Sequence, residues 1–169
     1  EGGGVVVPGM VEHGTGRVLL APNLGWRDVR LREPLAAGLG LPVQLENSGK
    51  ACALAQLWAT RQGASAETFV FISVSDGLGV GVVVGGEVLR GQHNIAGEFG
   101  HVPLNVDGPR CGCGRSGCWE AYVSNLATLA RYFGRDVGSG RPLPREALGL
   151  TIDDLIARAR GGDGKALAA

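Results

Sequence analysis

Three of the chain's four cysteines and two of its three histidines fall in one glycine-punctuated stretch, HNIAGEFGHVPLNVDGPRCGCGRSGCWE, from His93 to Glu120. The thiols are spaced Cys111-x-Cys113-x4-Cys118, and His101 lies ten residues before the first. Thiolate and imidazole are the ligands zinc prefers, and one histidine with three cysteines makes a closed tetrahedral set. A closed set leaves no position for a catalytic water, so the expectation is a structural zinc site at His101, Cys111, Cys113 and Cys118. Gly112, Gly114 and Gly117 allow the backbone to bend tightly around an ion. Spacing alone leaves open three free thiols, or one disulfide with a spare, and His93 competes for the fourth position. Cys52 stands among alanines and apolar residues and reads as a small core hydrophobe.

The remainder of the 169 residues limits the classes of function. The 16 basic and 16 acidic residues cancel, which leaves no electrostatic footprint for nucleic acid or acidic lipid. No apolar run approaches the roughly 20 residues of a membrane-spanning helix, and no basic segment followed by an apolar one opens the chain as a leader would. A cytoplasmic protein without membrane contact is expected. The opening EGGGVVVPG lacks Met and reads like the middle of something longer. Glycine reaches 30 residues but is scattered through apolar segments, which indicates tight turns rather than disorder.

Periodicity gives a mixed α and β order. GVVVPGMVE, Gly4 to Glu12, reads as a strand broken at Pro8-Gly9, with RVLLAP as its return and LPVQLEN as a further strand. Leu31 to Gly40 reads as a short helix stopped by Gly and Pro42. Gly49 to Gln62 is alanine-rich and helical, and Cys52, Leu54, Ala55, Leu57 and Trp58 wrap so broadly that the helix should be well buried. TFVFISVS is an apolar strand, followed by a hairpin at Gly85-Gly86 between LGVGVVV and EVLRG. A helix is predicted from Gly117 to Gly134, a loop from Gly138 to Leu150, and a helix from Thr151 to Arg160 with Thr151 and Asp154 in a capping-box pattern. Asp163 is placed to cap one more.

HNIAGEFGHVPLN followed by CGCGRSGCWE resembles the ROK family, which holds repressors, open reading frames of unknown function and sugar kinases. VPGMVE, APNLGWRDVRLREPL and LPVQLEN resemble ROK sequence in the same order, so the likeness runs from Val5 to about Ser124. The resemblance implies that His101, Cys111, Cys113 and Cys118 are zinc ligands. It implies that Asn47, Glu98, His101 and Glu120 hydrogen-bond the hydroxyls of a sugar. One ring nitrogen of His101 would face the metal and the other a hydroxyl, which fixes its tautomer.

The sequence departs from the family's kinases at one telling place. Where they resemble one another in ENDAN, with the aspartate as general base, this chain reads ENSGK, so Ser48 stands at the base position and Lys50 replaces a small polar side chain. A serine hydroxyl is far too weakly basic to deprotonate a sugar at neutral pH. No Asp-x-Gly-Gly-Thr phosphate loop precedes Val5, and SDGLGVG, Ser75 to Gly81, where the family's second phosphate hairpin falls, carries Asp76 and reads rather as a tight β-turn. The resemblance places the family's C-terminal glycine motif for adenosine beyond Ala169.

The resemblance therefore implies an α/β protein with the actin-like ATPase (ribonuclease H-like) fold, incomplete at both ends. Residues 1–66 would be the later part of a first lobe and 67–169 the start of a second. The expected function is sugar sensing by a transcriptional regulator, without catalytic residues. DNA would be bound only through a winged-helix region outside this chain, and the assembly would be a homodimer or higher homo-oligomer. The alternative is a glucokinase-like sugar kinase, which would need ATP and Mg2+.

Overall fold

The structure is a computed structural model that describes residues 1–60, 68–139 and 143–169. The chain divides into two compact units, 1–73 with 79–99, and 74–78 with 100–169.

In the first unit β1 (Gly3–Val7) pairs in parallel with β5 (Val43–Asn47), Val5 opposite Leu45 and Val7 opposite Asn47. Between them an antiparallel sheet runs in the order β2 (Met10–Glu12), β3 (Arg17–Ala21) and β4 (Trp26–Arg30), and α1 (Arg32–Leu39) ends at Gly40 in the left-handed conformation. The break between β1 and β2 falls at Pro8-Gly9. Gly9 has φ +97°, and a side chain there would run into the backbone of Leu20 and Ala21. Val7, Val11, Val18, Ala21, Val43 and Leu45 form the core, with Val29, Leu31 and Leu35 packed against it. Strand β4 carries no sequence signal of its own. WRDVR has no apolar alternation, and only its pairing with β3 makes it a strand at the edge of the sheet.

The alanine-rich segment is α2 (Ser48–Thr60), and the predicted Arg61 and Gln62 lie outside the described residues. Its buried face is Gly49, Lys50, Ala53 and Leu57, a narrow i, i+4, i+8 stripe. The broad burial expected from composition is corrected, since Trp58 is 64% exposed and Ala55 is exposed too. That stripe faces a sheet ordered β6 (Phe69–Val74), β7 (Leu78–Val84), β8 (Glu87–Val88), and Ala53 and Leu57 pack with Val83, Phe69, Phe71 and Val88. The predicted hairpin is present, with Gly85 and Gly86 at φ +58° and +78°.

In the second unit the helix predicted from Gly117 to Gly134 is two helices, α3 (Glu120–Val123) and α4 (Asn125–Tyr132). Ser124 breaks it. Its backbone is extended, and its buried hydroxyl accepts from the Ala127 amide, capping α4 afresh. The Asn125 amide thereby turns to the Ser75 carbonyl at 2.7 Å. The Thr151–Asp154 capping box opens α5 (Ile152–Arg160), and Asp163 caps α6 (Gly164–Ala168), both as the sequence predicts. The expected loop from Gly138 to Leu150 contains a 3-10 turn at Arg145–Ala147 and overlaps another at Val137–Ser139, while residues 140–142 lie outside the described part. Among the described residues no helix is long and apolar enough to cross a membrane.

Candidate functional site

The second unit gathers His101, Cys111, Cys113 and Cys118 into one cluster whose ligand atoms all lie within 4.8 Å of one another. A short bridged knuckle does this. Pro103 pairs with Cys118 and Arg110 with Ser116, and the Cys111 amide donates to the Arg115 carbonyl at 2.8 Å. Gly117, at φ +69°, is pressed against Asn105 so closely that any Cβ would overlap its carbonyl. The apolar support is slight, since Cys111, Cys118 and Ala121 form a core of their own with Cys113 beside them. The loop is thus held largely by backbone bonds.

The donor set fits a tetrahedral ion. Metal–sulfur bonds of about 2.3 Å at tetrahedral angles put sulfurs about 3.8 Å apart. Cys113 Sγ and Cys118 Sγ are 3.7 Å apart, and Cys111 Sγ is 3.7 Å from His101 Nδ1. Nδ1 is therefore the ring nitrogen turned to the cluster. Burial pushes the Cys111 and Cys118 thiols up from their ordinary pKa; the Cys113 side chain adds to the rise at Cys118, while at Cys111 the Cys113 backbone amide opposes it. Without a cation the set favours thiols, so a bound cation would supply the charge that turns them into thiolate ligands. Glu120, at the first position of α3, is oriented by the Leu78 amide, which donates to Oε2 at 2.9 Å, and its Oε1 lies 4.0 Å from Cys111 Sγ. His93 is exposed in the first unit, and Cys52 is half-buried on α2.

In the first unit Asn47 and Ser48 sit at the junction of β5 and α2. The Asn47 side chain is buried and engaged at both ends, donating to the Gly9 carbonyl at 2.7 Å and accepting from the Lys50 amide at 3.2 Å. It thus caps α2 as well as standing where a sugar contact was expected. Ser48 is the half-buried first residue of α2, and Asp76 is exposed in the turn between β6 and β7. Lys50, which stands where the family's kinases carry a small polar side chain, is 1% exposed, with Nζ donating to the Asn94 carbonyl at 2.9 Å. Burial lowers its pKa, against the opposing pull of the Glu98 and Glu46 carboxylates. Glu46 is ion-paired with Arg90, and Asn94 Nδ2 donates to the Val11 carbonyl at 2.8 Å. Sequence reasoning passed over Asn94, Arg90 and Glu46. Asn94 and Arg90 lie 40 or more residues from Lys50, and the one local hint is that an asparagine tolerates the φ of +58° found at Asn94.

Residues 2–169 match the ROK family model, and the chain belongs to the ROK family. Over 127 residues it is 39% identical to the xylose repressor of Caldicellulosiruptor bescii, which covers 75% of this chain and 32% of the repressor. Over 129 residues it is 39% identical to the glucokinase of Streptomyces coelicolor, covering 76% of this chain and 40% of the kinase. Among solved structures, a ROK family glucokinase from Streptomyces griseus in complex with glucose and AMPPNP superposes with a TM-score of 0.77 at 32% identity, over 99% of this chain and 56% of that one. A ROK family transcriptional regulator, a homologue of the E. coli MLC protein, gives 0.68 at 32% identity over 98% and 41%. The fold is the actin-like α/β ATPase fold. Repressors and glucokinases both stand among the relatives, and the chain spans less than half the length of these two curated ones.

Proposed function

We propose that this chain is part of the sugar-sensing region of a ROK-family transcriptional regulator, binding a hexose-type or related sugar without phosphorylating it. The observation that carries the reading is Ser48. It opens α2 where the resemblance puts the kinases' catalytic aspartate, and a hydroxyl cannot serve there as general base. Loss of a general base typically costs roughly 10²–10⁴-fold in rate. Sensing needs no such group.

Asn47, Glu98, His101 and Glu120 correspond to the family's sugar contacts. The two carboxylates accept hydrogen bonds from hydroxyls, and with Nδ1 turned to the cysteines the His101 Nε2–H would donate to a hydroxyl oxygen. Zinc would be held by His101 Nδ1, Cys111, Cys113 and Cys118, and would fix the knuckle and the His101 tautomer. A DNA-binding winged helix and self-association belong to the whole protein, and the near-zero charge of this region agrees with a role away from DNA.

The glucokinase relatives favour a second reading, an ATP- and Mg2+-dependent sugar kinase. Calorimetry on the full-length protein with D-xylose, D-glucose and N-acetyl-hexosamines separates the two when joined to a coupled ATP-consumption assay. Sugar binding that Glu98→Ala abolishes, without turnover, is the expected result. Turnover on the order of 1–100 s⁻¹ would overturn the sensing reading in favour of the kinase.

A further inference from the structure

Helical periodicity runs unbroken from Trp119 to Phe133, yet the helix stops at Val123 and restarts at Asn125. The break is built on both sides. Ser124 is 1% exposed, its backbone is extended at φ −71° and ψ 155°, and its hydroxyl accepts from the Ala127 amide at 3.2 Å. In a continuous helix the Ala121 and Tyr122 carbonyls would accept from the Asn125 and Leu126 amides. Here both accept from the Arg131 guanidinium instead, at 3.1 and 2.8 Å. The carbonyls are satisfied without the helix, and the Asn125 amide is released to a partner outside it.

That partner is the Ser75 carbonyl, at 2.7 Å, in the turn between β6 and β7. The Ser75 amide closes the turn on the Gly77 carbonyl at 2.9 Å. The next amide, that of Leu78, donates to Glu120 Oε2 at 2.9 Å. Gly100 lies against the Leu78 carbonyl so closely that a Cβ would be 2.6 Å from its oxygen. Residues 75–78 are thus tied at one end to Asn125 and at the other to the Glu120 carboxylate. Glu120 opens α3, and its own carbonyl accepts from the Ser124 amide at 3.1 Å. A glutamate at a helix start has several staggered rotamers open to it, and the Leu78 amide selects one of them.

We propose that Ser124 is a positioning residue for the Glu120 carboxylate. By breaking the helix it turns the Asn125 amide onto Ser75, which fixes the turn and keeps the Leu78 amide on Glu120, so that the carboxylate holds one orientation for a ligand hydroxyl. The ligand part of this inference rests on the sugar-sensing reading.

Amide exchange and calorimetry on the full-length protein test it. In the wild type the Leu78 and Asn125 amides should exchange slowly with solvent, and exchange of either at the rate of an open loop overturns the tie without any variant having to fold. Asn125→Pro removes the amide that holds Ser75. Proline suits the first position of a helix, and the extended Ser124 before it has the conformation that proline favours, so α4 is kept. Asn125→Ala retains the amide and is the control. Leu78 exchange should quicken about tenfold or more in Asn125→Pro and in Ser124→Ala, and keep the wild-type rate in Asn125→Ala. Unchanged Leu78 exchange in the folded variants overturns the proposal. Calorimetry with D-xylose, D-glucose and N-acetyl-D-glucosamine reads the ligand role. Affinity for the sugar that the wild type takes should fall about tenfold in Asn125→Pro, as loss of an oriented charged acceptor would cause, with metal content unchanged. Unaltered affinity overturns the positioning role. Wild-type protein that binds none of the three overturns the sensing reading and the ligand role with it, whereas Leu78 exchange still decides whether the break orients Glu120.

Discussion

Replacing Gly81 by alanine puts a methyl group where α2 lies directly on β7. The new Cβ would be 2.5 Å from the Ala53 Cβ and closer still to the Gly49 carbonyl oxygen, whereas ordinary contact begins at 3.4 Å. The obstacles are backbone and a bare methyl, so no rotamer change relieves them, and α2 must retreat by about 1 Å. That retreat opens the layer in which Ala53 and Leu57 meet Val83. Overpacking of this kind typically costs about 1–3 kcal/mol, and a rigid helix on a central strand belongs at the upper end, about 3 kcal/mol. Urea unfolding of the full-length protein, followed by circular dichroism, reads this as a lowered midpoint at constant slope. Gly4→Ala is the control, because a Cβ there meets nothing within 4 Å. It should be neutral or stabilising by a few tenths of a kcal/mol, given the entropy that glycine loses on folding. A Gly81→Ala midpoint equal to that of the control would refute the close packing of α2 on β7. Since Asn47 and Ser48 stand at the start of the same helix, Gly81→Ala should also weaken sugar binding.

Protein purified without added metal should contain about one zinc per chain by elemental analysis, and Cys113→Ala should lose both the metal and stability; metal-free protein with all four thiols open to a thiol reagent would exclude the site. Ser48→Asp should alter sugar affinity only modestly and yield no phosphoryl transfer, because Asp76 remains in the β6–β7 turn; sugar-dependent ATP hydrolysis by that variant would mean that the base is the one missing part. Bonds from the Thr151 amide and hydroxyl hold the Asp154 carboxyl below its usual 3.8. Its stabilising contribution is therefore complete above pH 3.8 and is lost as pH falls through the lower folded value. The stability difference between wild type and Asp154→Asn should accordingly shrink on acidification, and a difference independent of pH would exclude the charge as its cause.

Local chemistry made part of this protein legible from residues alone. The cysteine spacing predicted the metal-capable cluster because its three thiols lie within eight positions, so a short loop can close only around a common point. Thr151 with Asp154, Asp163, and Gly85-Gly86 marked helix starts and a hairpin because each signal acts over two to four residues. Ser48 and Lys50 stood out as soon as ENSGK was set beside the family's pattern.

What the tertiary structure decided involves partners far apart in the chain. Strand β4 exists through its pairing with β3, which no alternation in WRDVR announces. The alanine-rich α2 is apolar on several faces, and only contact with β7 selects the Gly49–Ala53–Leu57 stripe and leaves Trp58 in solvent. The helical periodicity from Trp119 to Phe133 runs unbroken through Ser124, yet the serine hydroxyl caps a new helix once the Asn125 amide bonds to Ser75, nearly 50 residues away. Lys50 is the clearest case. A lysine after a polar run reads as a solvated charge, because sequence carries no record of solvent exclusion. Burial becomes tolerable only when folding brings in the Asn94 carbonyl and the Glu98 carboxylate beside the nearby Glu46, groups of which the first two lie too far along the chain for any local reading.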